Sequence, residues 1–199
     1  MNHPSHRTQE ERTAHTRGRI IDAAITCLQE RGYGATSVGA VQAQAGVARG
    51  TLLHHFPTRA SLMAAIGEHA VDQRLELLTA DVTPGEDPWD VVVELVWRDF
   101  QSATSAAVLE LWVAARTDPS LRDALLPAQE RLVVGFTERV SELLGTNDDP
   151  RVPTLLLLTI DLLTGSAMTS ILVDPEQMAQ RVGTWRRTLP VLARTAAAL

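Results

Sequence analysis

The sequence predicts an all-α fold: a small N-terminal head of three helices, a long fourth helix, and a C-terminal helical bundle, about nine helices in all. Three observations predict it. Apolar residues are 45% of the 199 and aromatics only 4%, with Ala, Leu, Arg, Glu and Gln prominent and no long alternating β-branched run. Apolar positions recur at three- and four-residue steps. Gly and Pro cut the chain into pieces of helical length.

Each element has its own signal. Residues 1–12 are polar and form an arm expected to be disordered or only partly helical. A first helix over Ala14–Arg31 carries the stripe Ile20, Ile21, Ala24, Cys27 and Leu28, and Gly32 stops it. Ser37 is the expected N-cap of a second helix through Ala45, with Val38, Val41 and Ala45 facing its partner. Gly46 ends that helix and a third follows at once over Arg49–His54. A tight Gly turn between two short helices is the pattern of a helix-turn-helix, placed here in residues 13–57.

Phe56-Pro57 breaks the chain, and Thr58 caps a fourth helix over Arg59–Thr79. Thr83–Pro88 reads as a linker. Five more helices are expected at Trp89–Ala103, Ala106–Arg116, Ser120–Leu144, Pro153–Leu172 and Pro175–Ala198, the last bent at Pro190. Residues 58–199 then form a second, larger domain.

Charge is unevenly spread. The net charge is −6, yet residues 1–60 hold seven Arg against four acids, a balance of +3 that leaves −9 for the rest. A cationic head on an acidic body suits contact with phosphates. The single cysteine, Cys27, excludes an internal disulfide and a Cys-rich metal site and fits a reducing cytoplasm. The N-terminal segment has no apolar signal core. The most apolar window, Thr154–Val173, is long enough to span a membrane, but Asp161 with Thr159, Thr164, Ser166, Thr169 and Ser170 dilutes it. A helix at a subunit interface is the expected reading, with no membrane partner.

The run from Ile20 to Leu62 resembles the TetR family of bacterial transcriptional regulators. The resemblance lies in Ala23-Ala24, Gly32-Tyr33, Thr36-Ser37-Val38, Ala45-Gly46-Val47, Gly50-Thr51-Leu52, His55-Phe56 and Leu62 in the family's spacing. It implies an all-helical homodimer whose last two helices pair with those of a second subunit. It also implies a small molecule in the C-terminal domain that changes the separation of the two heads and releases a palindromic operator in double-stranded DNA.

The exposed face of a recognition helix reads the major groove, which makes Arg49, Gly50, Thr51, His54 and His55 candidates. Arg49 can donate two hydrogen bonds to a guanine edge, and Thr51 offers a hydroxyl and a methyl. Thr36 and Ser37, at a helix start, can present hydroxyl and N–H groups to a phosphate. By resemblance, Arg59 stands at a basic phosphate-contacting position. Leu53 stands where a Tyr usually makes such a contact, and Ala48 where Ser or Thr often caps the recognition helix. Gly39 lies inside the short second helix at a cost of about 1 kcal/mol relative to Ala. His54 and His55 are adjacent, so they diverge by about 100° on a helix and do not chelate one metal.

In the C-terminal domain Trp89, Trp97, Phe100, Trp112, Phe136 and Met168 are candidates to line a cavity for an apolar effector. Glu94, Glu110 and Asp161 are candidates to orient a polar group on it. Leu155, Leu158, Leu162 and Thr169, then Met178, Val182, Trp185 and Leu189, recur at helical steps on the two helices that the resemblance assigns to the dimer. No nucleophile elbow, Gly-rich phosphate loop or HExxH pattern appears, so neither enzymatic activity nor a cofactor is expected. The competing reading is a module of the same fold, binding ligands or proteins, that has lost specific DNA binding.

Overall fold

The structure, a computed structural model, describes residues 8–78, 87–145 and 150–195. Among the described residues there are nine α-helices and no strand: α1 Gln9–Ala35, α2 Val38–Ala45, α3 Arg49–His55, α4 Arg59–Leu77, α5 Pro88–Phe100, α6 Ala103–Ala115, α7 Pro119–Leu144, α8 Val152–Thr169 and α9 Pro175–Thr195. A 3-10 turn, Ser170–Leu172, joins α8 to α9. The expected linker lies outside the described residues up to Glu86, as does 146–149.

Local chemistry accounts for the boundaries. α1 starts earlier than its apolar stripe, at a capping box in which Thr8 accepts from the Glu11 N–H and Glu11 accepts from the Thr8 N–H. Gly32 interrupts α1 with φ 69°, a left-handed conformation that side chains resist, so a short turn runs on to Ala35. The Ser37 hydroxyl accepts from Ala40 N–H at 3.1 Å and caps α2. Gly46, at φ 63°, closes α2 with its own N–H on the Ala43 carbonyl. The Thr58 hydroxyl accepts from the Ser61 N–H at the start of α4. α9 runs on through Pro190, which cannot donate the bond that position would otherwise make.

The chain divides into two compact units whose limits fall inside α4, α6 and α7 rather than at Pro57. One runs up to Glu68 and includes Ala107–Leu126; the other holds His69–Ala106 and the chain from Pro127 on.

In the first unit α1 packs on α2, burying Ile20, Ile21, Ala24, Cys27 and Leu28 with Val41, Ala45, Leu52 and Phe56. Truncating a fully buried Leu such as Leu52 to Ala costs about 2–5 kcal/mol. Burial pushes the Cys27 thiol above its ordinary value, which keeps it inert.

In the second unit α5, α8 and α9 pack on one another around Trp89, Val92, Val93, Val96, Leu156, Leu163, Met178 and Leu189. A buried polar cluster lies in the same unit. Arg74 Nε donates to Asp99 Oδ2 at 2.6 Å, Ser105 donates to the same oxygen at 2.8 Å, and Arg74 also lies 5.5 Å from the Phe100 ring centroid. Removing one member of such a buried ion pair costs about 3–5 kcal/mol.

Candidate nucleic-acid interface

The sequence of α3 splits into two faces. Leu52 and Phe56, four residues apart, are buried against the α1 and α2 core. Arg49, Gly50, Thr51, Leu53 and His54 are exposed on the other side. No side chain caps the helix, because Ala48 has none to offer. The exposed set supplies one guanidinium, one hydroxyl, one imidazole and a glycine that lets the backbone come close. These groups match the donors and acceptors of base edges and phosphates.

His55 is only half-exposed, at 6.2 Å from the Phe56 ring centroid and 5.6 Å from that of His54. Burial, then His54 and Arg17, hold its imidazole below the ordinary value, which favours the neutral ring.

Two expected phosphate contacts have other duties. Thr36 is fully buried and its hydroxyl donates to the Gly32 carbonyl at 2.8 Å, so it has no path to a phosphate. Its position at a helix start hid this, because Ser37, not Thr36, is the capping residue and stays exposed. Arg59 turns inward. Its Nε donates to the Thr36 carbonyl at 3.0 Å, its Nη2 donates to the Tyr33 carbonyl, and its guanidinium lies 3.8 Å from the Tyr33 ring centroid. Arg59 fastens the chain that enters α2 instead of reaching outward.

The family model described as bacterial regulatory proteins, tetR family, matches residues 20–66, the stretch that holds α1 from Ile20 on, α2, α3 and the start of α4. An uncharacterized HTH-type transcriptional regulator of Mycobacterium bovis is 31% identical over 182 residues, covering 88% of this chain and 93% of that protein. The chain belongs to the TetR family. Its fold agrees: the structure of Salmonella enterica GusR superposes with TM-score 0.72 at 23% identity, covering 93% of this chain and 97% of that one. The multidrug binding protein EbrR, solved in complex with imidazole, aligns with TM-score 0.59 at 25% identity over 88% of this chain and 93% of its own.

Most of the expected ligand-lining residues fall in the second unit. Trp89, Phe100 and Phe136 lie in its apolar cluster and Trp97 packs at the edge. Trp112 belongs to the other unit and is absent from that cluster. Met168 is 47% exposed and lines no interior here. The inner face of α8 is Val152, Leu156, Thr159 and Leu163, and Met168 falls five residues past the last of these, about 140° round the helix. Glu94 is half-exposed and pairs with Arg98 and Arg186, while Glu110 and Asp161 are exposed, so none is a buried polar anchor.

The stripe on α9 also needs correction. Met178, Val182 and Leu189 are buried inside their own chain against α5 and α8, and Trp185 is half-buried, its Nε1 donating to the Thr159 hydroxyl at 3.3 Å. Leu155 likewise packs on this core. Leu158, Leu162 and Thr169 do face out, joined by Leu157 and Met168. Helical spacing marks a face that needs cover without saying which neighbour covers it. α8 carries four consecutive leucines, Leu155 to Leu158, and so has two such faces.

Proposed function

We propose that this chain is a ligand-responsive, sequence-specific DNA-binding regulator of transcription, acting as a repressor in the cytoplasm. The observation that carries this reading is the division of α3: Leu52 and Phe56 hold it down while Arg49, Gly50, Thr51 and His54 stay exposed. Arg49 and Thr51 are the base-reading pair. Ser37 and His54 approach phosphates at the groove edge, and His55 supports them as a packed neutral ring.

Two copies act together on a palindromic operator, with their recognition helices about 34–36 Å apart. The outer face of α8, Leu157, Leu158, Leu162 and Met168, supports pairing with a second copy. α8 with the 3-10 turn is apolar and long enough to cross a membrane, but the carboxyl group of Asp161 on that exposed face favours protein cover over lipid. A small apolar effector bound within the aromatic second unit prefers a different head separation and weakens DNA binding by linkage. EbrR, similar in structure and solved with imidazole bound, supports this part of the reading.

The test is retention of fragments selected from random duplex DNA, followed by affinity at several salt concentrations. Two half-sites one helical turn apart are expected. Arg49→Ala should cost about 1–3 kcal/mol and relax preference at one base pair per half-site. Binding indifferent to both salt and Arg49→Ala would remove the proposal.

A further inference from the structure

The helix-turn-helix itself is poor in positive charge. Between Gly32 and Thr58 the sole arginine is Arg49, and the next, Arg59, is committed to two backbone carbonyls. Attachment to duplex DNA draws most of its strength from cations that displace condensed counterions from phosphates. The other arginines of the described head all sit on α1: Arg12, Arg17 and Arg19 in its N-terminal half, Arg31 near its far end.

Their placement is specific. Arg19 Nη2 donates to the Ala45 carbonyl at 2.6 Å, just before the Gly46 turn that leads into α3. The Arg17 guanidinium lies 5.1 Å from the ring centroid of Phe56, the residue that ends α3. The two arginines therefore bracket the recognition helix, one at each end, and both stay exposed.

Upstream, Thr8 to His15 are exposed throughout, and the first buried residue of α1 is Ile20. At 1.5 Å per residue, α1 reaches roughly 16 Å ahead of its packed portion. Arg12 precedes Arg19 by seven residues and shares its face. The two acids of this stretch are Glu10 and Glu11, and Glu11 is folded back onto the Thr8 N–H.

We infer that the N-terminal half of α1 is a phosphate clamp. Arg17 and Arg19 meet the sugar-phosphate strands on either side of the groove that α3 enters, and Arg12 extends the contact along the flanking duplex. This inference rests on the DNA-binding reading above. Contacts to phosphate fix register and supply affinity without reading sequence.

Operator fragments recovered from random duplex DNA are the probe. Arg12→Ala and Arg17→Gln should each lower the slope of log affinity against log salt by about one per chain, about two per dimer, and leave the ranking of fragments unchanged. Arg31→Ala removes the same charge at the far end of α1 and should leave the slope as it is. Equal slopes for all three variants overturn the clamp. Arg17 also supports Phe56, so melting curves accompany its variant, and exposed Arg12 gives a reading free of that contact. If the unaltered protein retains no duplex at low salt, the DNA-binding reading itself has failed. If it binds and only the slopes refuse to move, the clamp alone is wrong.

Discussion

The Tyr33 hydroxyl donates a hydrogen bond of 2.8 Å to Asp118 Oδ2, joining the last turn of α1 to the residue before α7 across 85 positions of chain. Both ends do further work. Asp118 Oδ1 accepts from the Leu121 N–H at 3.0 Å and so caps α7, while the Tyr33 ring carries the Arg59 guanidinium. One hydrogen bond thus ties the entry to α2 to the start of α7 within the first compact unit.

Tyr33 is the chain's single tyrosine, so tyrosinate absorbance reports it alone. Burial, and then the bond to Asp118, raise its phenol above the ordinary value of about 10. Asp118→Ala should bring the midpoint down without restoring the ordinary value, because burial is the larger cause. Stability linked to this phenol holds below about pH 10 and declines as pH rises through the raised folded value.

Acid acts on the same bond from the other side. The Leu121 N–H, and then the Tyr33 hydroxyl, hold the Asp118 carboxyl below the usual carboxylate range. The stabilisation is complete above the unfolded value of about 3.9 and is lost as pH falls towards the depressed folded value. The gap in melting temperature between the unaltered protein and Tyr33→Phe should therefore be steady near neutrality and narrow below about pH 4.

Arg59 offers a test of fastening against DNA contact. Arg59→Lys keeps the charge but loses the planar fork that serves two carbonyls and a ring. Thermal melts should show Arg59→Lys and Arg59→Ala destabilised alike, by about 1.5–3 kcal/mol. A Lys variant with unchanged stability and unchanged DNA affinity would contradict the assignment.

Leu53 is exposed on α3 with nothing to donate. Leu53→Tyr should add one phosphate hydrogen bond, worth about 0.5–1.5 kcal/mol, or roughly two- to tenfold in operator affinity. Fragment preference should not change.

Under the proposed pairing of two copies, the outer face of α8 serves assembly and the inner face of α9 serves folding. Leu158→Glu, on the outer face, should yield monomers by sedimentation with the helical melt largely retained. Leu189→Ala, fully buried, should instead lower chain stability by about 2–5 kcal/mol and leave the assembly state of the folded fraction as it was.

What was legible in the sequence follows the range of the interaction. Ser37, Gly46 and Thr58 act on neighbours within four residues, so the boundaries of α2 and the start of α4 could be read directly. The start of α1 was written in Thr8-x-x-Glu11, but a search for apolar period begins at Ala14 because the first turns bury nothing. The tasks of Thr36 and Arg59 depend on backbone carbonyls, which have no letter in the sequence. The inward stripe of α9 looked like an interface because burial within a chain and burial between chains ask for the same residues.

The front of α3 has a consequence for how the protein meets its target. Leu52 and Phe56 pin the rear half, whereas Ala48 leaves the leading amides with no side-chain lid and Gly50 adds backbone slack. A seven-residue helix tethered in this lopsided way frays from its tip first. The tip is where Arg49 and Thr51 sit, so on the proposed reading the final turn of order is completed against the base pairs, and operators of somewhat different groove width remain within reach of one protein.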